Sequence, residues 1–356
     1  MKHKISLIIG ALSLAAAAGS HAQTAVTDPV GYITMKVTAA PAGSSSLSFV
    51  APTLVNKLEF SGIASAATAT TITLSGAAPL TAGAYNAAVN AAYDSVVPMP
   101  GYYVEVSAGA GEGQWANITG NTATALTVDR DLSTFITGGT TTVRIRKHST
   151  IGEVFGTTNT AGLKGADTSA AADEVKLLKP VTHEVKSYFF YDDGAVTQWS
   201  DLNLNDAVNV IIGPDQGMVI QRKNGGAAVN VVRVGHVKTG KTAVYATPGA
   251  NVLPVTRAVG DNFTLTLSNL QNTGAQNTRI FGADTSAAAD LLRIPQANGQ
   301  LKDFFFYNDG AVTQWSDLNL NDASNEPLNE GEAFVYIRQA AGGNLTWTVP
   351  AQPIAP

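Results

Sequence analysis

Two stretches of the sequence, residues 200–206 and 316–322, carry acidic and amide side chains at closely spaced positions. The oxygen-bearing residues are Asp201, Asn203, Asn205 and Asp206 in the first stretch and Asp317, Asn319, Asn321 and Asp322 in the second. Oxygen ligands at positions one, three and five are typical of a calcium loop of the EF-hand or dockerin kind. Calcium is therefore the one cofactor that the sequence suggests.

The match to a calcium loop is incomplete. Position six is Asp206 where the loop needs glycine, and position twelve, which needs a bidentate glutamate, is Ile212 in one copy and Leu328 in the other. The alternative is the end of a strand, with Leu202 and Leu204 facing inward and the polar residues facing water. The sequence leaves both interpretations open.

Trp199 and Trp315 directly precede these stretches. Exposed indole faces bind sugar rings, so the two residues are candidates for a carbohydrate-binding (adhesion) surface. A tryptophan that lies across a hairpin from another aromatic residue is more often part of a hydrophobic core. We therefore favour core packing for both indoles and keep carbohydrate binding as the alternative function.

Residues 235–242 read Gly-His-Val-Lys-Thr-Gly-Lys-Thr and match the nucleotide-binding P-loop pattern letter for letter. A P-loop works when a strand enters it and a helix leaves it, because backbone amides at the helix start hold the phosphates. Here the pattern is followed by a β-prone segment that Pro248 interrupts. We interpret the segment as a hairpin.

The sequence contains no recognisable catalytic constellation. It has no cysteine, and the histidines after residue 22 are His148, His183 and His236, which lack the spacing of metal ligands. The acids to test for catalysis are Asp173, Asp201 and Asp206 with their second copies, but duplicated acids usually indicate duplicated structure. The expectation is a protein without enzyme activity.

The candidate residues belong to a repeat. Residues 189–207 recur as residues 305–323 with the single change of Asp192 to Asn308, and residues 165–173 recur unchanged as 282–290. Asp193-Gly194 favours a type I′ turn, so we expect a two-residue loop that pairs Tyr188 with Trp199. Aromatic residues fall on both faces of this hairpin, which predicts that both faces are covered.

Nearly all hydrophobic periodicity has period two, and Gly, Asn, Asp and Ser interrupt it every eight to twelve residues. This pattern predicts an all-β protein: a duplicated antiparallel β-sandwich-like domain with a smaller β-barrel-like domain near the N-terminus. The predicted units are a small barrel or sandwich over 58–147 and a duplicated domain over 148–356, with repeats at about 150–230 and 263–349. Strands within 23–57 are expected to pair with the C-terminal domain, which would make the small unit an insertion.

The first 22 residues have the features of a secretory signal peptide. Lys2 and Lys4 precede an apolar run, and Ser20-His21-Ala22 resembles a cleavage site. The expected location is extracytoplasmic: periplasm, cell surface or medium. A formal net charge of −5 without basic clusters argues against nucleic acid as a partner, and no segment is long enough to predict a transmembrane helix.

Several segments resemble a family of exported bacterial all-β proteins of unknown function. They are the Asp-Pro-Val-Gly-Tyr-Ile-Thr sequence at 28–34, residues 102–115, the Thr-Ile-Gly-Glu-Val-Phe-Gly sequence at 150–156, and residues 214–220 after the aromatic hairpin. The resemblance implies an all-β fold and brings no functional residues. The expected function is a non-catalytic surface or extracellular structural protein whose partner is itself or a cell-surface polysaccharide.

Overall fold

The computed structural model describes residues 28–179, 181–257, 263–296 and 299–351. The predicted signal peptide, residues 1–22, lies outside these ranges. Within them the chain forms antiparallel sheets, a closed barrel, one short α-helix and three 3-10 helices. The prediction of an all-β protein with a small barrel near the N-terminus is therefore confirmed. None of the helices in the described ranges is long and apolar enough to cross a membrane.

The strands are numbered in chain order. Those before residue 151 are β1 (Val30–Val37), β2 (Ser45–Val50), β3 (Leu58–Ala67), β4 (Thr71–Leu74), β5 (Ala88–Asn90), β6 (Asp94–Met99), β7 (Tyr102–Val106), β8 (Trp115–Asn121), β9 (Ala125–Val128), β10 (Thr142–Lys147) and β11 (Ser149–Thr150). Those of the middle part are β12 (Glu174–Leu178), β13 (Val185–Asp192), β14 (Thr197–Asp201), β15 (Ile211–Ile212), β16 (Met218–Lys223) and β17 (Val229–His236). The remaining strands are β18 (Thr242–Ala246), β19 (Gly249–Pro254), β20 (Leu291–Pro295), β21 (Leu301–Asn308), β22 (Thr313–Asp317), β23 (Ala333–Arg338) and β24 (Leu345–Val349).

Helical structure is limited to short segments in the described ranges. The α-helix, α1, covers Ile151–Phe155 and is capped by Thr150, whose hydroxyl accepts a hydrogen bond from the Glu153 amide. The 3-10 helices are Ser133–Phe135, Gln276–Thr278 and Ala340–Gly342.

The barrel is closed by six strands in the order β10-β3-β4-β9-β8-β7. Alternate residues of these strands point inward and form a core of their own, which includes Ala64, Ile72, Val104, Ile118, Leu126, Val143 and Ile145. The β5–β6 hairpin belongs to the same stretch of chain but pairs separately. Its tip inserts Ala92 into a neighbouring core, where the Tyr188 hydroxyl donates to the Ala92 carbonyl (3.2 Å).

The first module is a two-layer β-structure. One layer is a five-stranded sheet in the order β14-β13-β12-β16-β2, and the other contains the two-stranded β1–β17 ribbon together with α1. Inward-facing residues of both layers, such as Met35, Val231, Tyr188 and Ile220, form one hydrophobic core. Strands β1 and β2 pair with β17 and β16, so the barrel lies in the chain between strands of one sheet.

The second module repeats this arrangement. Its sheet has the order β19-β23-β20-β21-β22, and its ribbon is formed by β18 and β24. Position for position, β19 corresponds to β2, β23 to β16 and β20–β22 to β12–β14. The structural repeat therefore includes β18 and β19, which precede residue 263. The identical sequence stretches did not reveal these strands, because they have no detectable identity with β1 and β2.

The register of the repeated hairpin differs from the prediction. Tyr188 pairs with Asp201 and Phe190 with Trp199, which is a shift of two residues. Gly194 has a positive φ of 84°, but Asp193 does not, so the turn is not type I′. Instead the Asp193 carboxylate accepts hydrogen bonds from the Ala195 and Val196 amides (2.9 and 2.8 Å), which stabilises a four-residue loop. A shift of two leaves each side chain on its predicted face.

Candidate functional site

Trp199 and Trp315 are core residues, with 1% and 2% of their surface exposed. The Trp199 indole packs against Phe155 and Phe190, and its N–H donates to the Gly156 carbonyl (2.8 Å). Trp315 packs in the same way against Phe306. A sugar ring cannot stack on either indole, so the candidate carbohydrate surface at Trp199 and Trp315 is corrected to core packing.

The predicted calcium loop closes on itself. The Asp201 carboxylate accepts hydrogen bonds from the Asn203 amide (2.9 Å), the Asn205 amide (2.8 Å) and the Asn205 side chain (3.0 Å). Asp206 accepts from the Val208 amide. These oxygens bind local N–H groups instead of converging on one point, as calcium ligands must. Within the described ranges, no group of three or more His, Cys, Asp or Glu side chains could hold a metal ion.

The second copy has the same geometry. Asp317 accepts from the Asn319 amide and from the amide and side chain of Asn321, and Asp322 accepts from the Ser324 amide. In both copies the described hydrogen bonds form an Asx-type turn, and calcium binding at these residues stays a prediction. The alternative, a strand end with inward leucines, is wrong: Leu202, Leu204, Leu318 and Leu320 are all about half exposed.

The hairpin faces are covered unequally. Tyr188, Phe190 and Trp199 are buried in the module core, as expected. On the opposite face Phe189 is buried, but Tyr191 is partly exposed and Val196 is exposed. The prediction that both faces are covered therefore holds for Phe189 and fails toward the hairpin tip.

Asp173, one of the acids considered for catalysis, has a structural role. It accepts hydrogen bonds from the Lys164 and Lys223 amides, and Arg222 lies 3.2 Å from it. Its second copy, Asp290, binds Arg338 (2.6 Å) and the Tyr336 hydroxyl (2.5 Å). These carboxylates are fully buried and join strands of one sheet, which explains the unchanged sequence around them.

The P-loop-like segment is the connection between the two ribbons. Strand β17 ends at His236 and β18 begins at Thr242, so a strand follows the motif where a nucleotide site needs a helix. Lys238 forms an ion pair with Glu105 of the barrel (2.6 Å), which also binds Arg146 (3.0 Å). Burial opposes ionisation of Glu105, but these two cations hold its pKa below the ordinary value.

The candidate functional surface is the outward face of the β1–β17 ribbon. Tyr32 and Val234 lie directly opposite each other and are 72% and 68% exposed, and Val30 and Val232 beside them are also exposed. Ile33 and Met35 at the alternate positions are buried. The N-terminal half of β1 therefore carries large apolar side chains on both faces, the pattern of a strand covered on both sides, yet its outward face is open.

The β18–β24 ribbon of the second module has an outward face at the equivalent position. The barrel covers this face. Ala243 and Tyr245 pack against Trp115 and Tyr103, and the Trp115 indole donates to the Ala243 carbonyl (3.0 Å). The Arg130 guanidinium lies 3.4 Å above the Tyr245 ring. A β-surface rich in aromatic residues therefore covers one of the two equivalent faces.

In comparisons with known proteins, no protein-family model, curated protein or solved structure matches this chain. The resemblance to exported all-β proteins remains a prediction that rests on the residues quoted for it.

Proposed function

We propose that this chain is an exported, non-catalytic structural protein that assembles with further copies of itself through exposed β-surfaces. Export is inferred from the first 22 residues. The absence of catalysis is inferred from the engagement of the duplicated acids Asp173 and Asp201 in local hydrogen bonds. The proposal is carried by one observation, the open apolar face of the β1–β17 ribbon.

A contiguous apolar patch that includes a tyrosine favours a protein partner over solvent. Among the described residues of the ribbon, the outward positions carry no Asp or Glu; Lys36 is the charged side chain on that face. Two negatively charged copies can therefore approach through this face without bringing acidic groups together. The barrel's contact with the β18–β24 ribbon supports a β-surface as the type of partner.

The β5–β6 hairpin is the surface that fits the ribbon best as a partner from a second copy. It exposes Val96 to 81% and also exposes Val89 and Val97. Its acidic residue, Asp94, is already neutralised by Lys179 (3.0 Å). A hairpin of one copy placed on the ribbon of the next is a head-to-tail contact, which produces filaments when it does not close into a ring.

Analytical ultracentrifugation and negative-stain electron microscopy test this proposal. The wild-type chain is expected to form oligomers that grow with concentration. Tyr32→Ser with Val234→Thr should shift it to monomer, whereas the control variant Ile63→Thr with Leu267→Ser, which changes exposed apolar residues elsewhere, should assemble normally. A wild-type chain that stays monomeric up to millimolar concentration would refute the proposal.

The head-to-tail geometry has its own test. Val96→Asp blocks the hairpin and Tyr32→Asp blocks the ribbon, so each variant alone should be monomeric. An equimolar mixture retains one competent hairpin and one competent ribbon, and it should form heterodimers and nothing larger. Growth of the mixture into long oligomers would show that other surfaces carry the assembly.

A further inference from the structure

A cavity of about 100 Å³ lies between the barrel and the first module. Aromatic residues of both units form its walls: Tyr93 follows β5, Trp115 begins β8, and Tyr188 lies on β13. Lys179 and Lys186 lie at its edge, and Asp215 also lines it. Apolar walls with a few polar groups at fixed positions are typical of a small-molecule site.

Asp215 is the distinctive group of this cavity. It is 6% exposed and belongs to the first module, while the amide that donates to it (3.3 Å) comes from Tyr245 of the second module. Burial raises its pKa to about 6, although Arg130 of the barrel acts in the opposite direction. A buried carboxylate that lines a cavity can accept a further hydrogen bond from a ligand.

The charges around the cavity limit the kind of ligand. Lys179 is paired with Asp94 (3.0 Å) and Glu184 (3.4 Å), and Lys186 is paired with Glu184 (2.9 Å). The ring of Trp115 already has the Arg130 guanidinium 4.9 Å away. A cationic ligand would meet these protein cations, and an anionic ligand would meet Asp215. The site therefore favours a neutral molecule with many hydroxyl groups.

We propose that this cavity binds a small neutral polyhydroxylated molecule, such as one sugar unit. One ligand hydroxyl donates to Asp215, the Lys179 and Lys186 ammonium groups donate to other ligand oxygens, and the ligand C–H groups contact Tyr93. This inference does not depend on assembly, because its residues are separate from the ribbon and from the exposed valines of the hairpin. It also differs from the sugar platform predicted at Trp199 and Trp315.

Ligand-detected NMR and calorimetry with glucose, galactose, N-acetylglucosamine and myo-inositol test the proposal on the full chain. At least one of them is expected to bind with millimolar affinity. Asp215→Asn should weaken binding about tenfold or more, since the ligand hydroxyl loses its hydrogen bond to a charged group. Glu330→Gln, which changes an exposed carboxylate of the second module, should leave binding unchanged.

Two results would overturn the proposal. One is the absence of binding for all four compounds at about 20 mM, well above a millimolar Kd. The other is equal affinity in the wild type and Asp215→Asn. The assembly-deficient variant Tyr32→Ser with Val234→Thr should bind the ligand as the wild type does, so failure of assembly and failure of ligand binding are distinguishable.

Discussion

Replacing Asp215 by asparagine is expected to stabilise the protein at neutral pH. Burial raises the pKa of this carboxyl from 3.8 to about 6. The folded protein therefore binds the proton more tightly than the unfolded chain does, and stability falls as pH rises from 3.8 through 6. At about 1.36 kcal/mol per pKa unit, the ionised carboxyl destabilises the fold by about 3 kcal/mol above pH 6. Asparagine resembles the protonated carboxyl and removes this penalty.

The measurement is urea unfolding followed by circular dichroism at pH 4 and pH 7.5, with Glu330→Gln as the control. Asp215→Asn should exceed the wild type by about 2–3 kcal/mol at pH 7.5 and nearly equal it at pH 4. His148, whose pKa burial lowers to about 3, destabilises both proteins below pH 6.5 and cancels in the comparison. A variant that is less stable than the wild type at pH 7.5, or a difference independent of pH, would refute the reasoning.

The two copies of the repeat allow matched predictions. Trp199→Phe should cost about 1 kcal/mol more than Trp315→Phe in thermal or urea unfolding, because the Trp199 N–H donates to a carbonyl while the Trp315 N–H has no partner among the described residues. Equal losses would contradict this. Asp290→Asn should cost about 3 kcal/mol or more and exceed the loss in Asp173→Asn, since Asp290 accepts hydrogen bonds from Arg338 and the Tyr336 hydroxyl, whereas Arg222 lies 3.2 Å from Asp173 without a hydrogen bond. A larger loss of stability in Asp173→Asn than in Asp290→Asn would show that the buried Asp290–Arg338 pair is not the cause of the predicted difference.

Fold class could be predicted from the sequence because strand periodicity is a local signal. Four of the six barrel strands, β4, β7, β9 and β10, and the repeated hairpin show it clearly. Hairpin register was not predictable from the Asp193-Gly194 pair alone, since the Asp193 side chain binds two following amides and lengthens the loop. The sequence also did not show that β18 and β19 belong to the second module. These strands have the pairing partners that the repeat requires, but their sequences do not resemble those of β1 and β2.

The cavity at Asp215 could not be predicted from the sequence, because residues that are far apart in the chain form it. Asp215 is buried by segments around residues 130 and 245, which are far from it in the chain. A usable signal existed for the ribbon, because Val30 and Tyr32 alternate with Ile33 and Met35, and an apolar pattern on both faces predicts a strand with two partners. The candidate sugar platforms failed because both indoles are buried, as core packing requires, although Trp199 pairs with Phe190 and not with Tyr188.

The near-identity of residues 189–207 and 305–323 extends to positions that packing does not constrain. Burial explains why Phe190 and Trp199 are retained. It does not explain Leu202 and Leu204, which are about half exposed in both copies. Leu204 also has a positive φ of 62°, and its counterpart Leu320 has 64°, a conformation that a bulky side chain rarely adopts. Packing therefore does not account for the retention of these exposed leucines, which are held in the same strained turn on both modules.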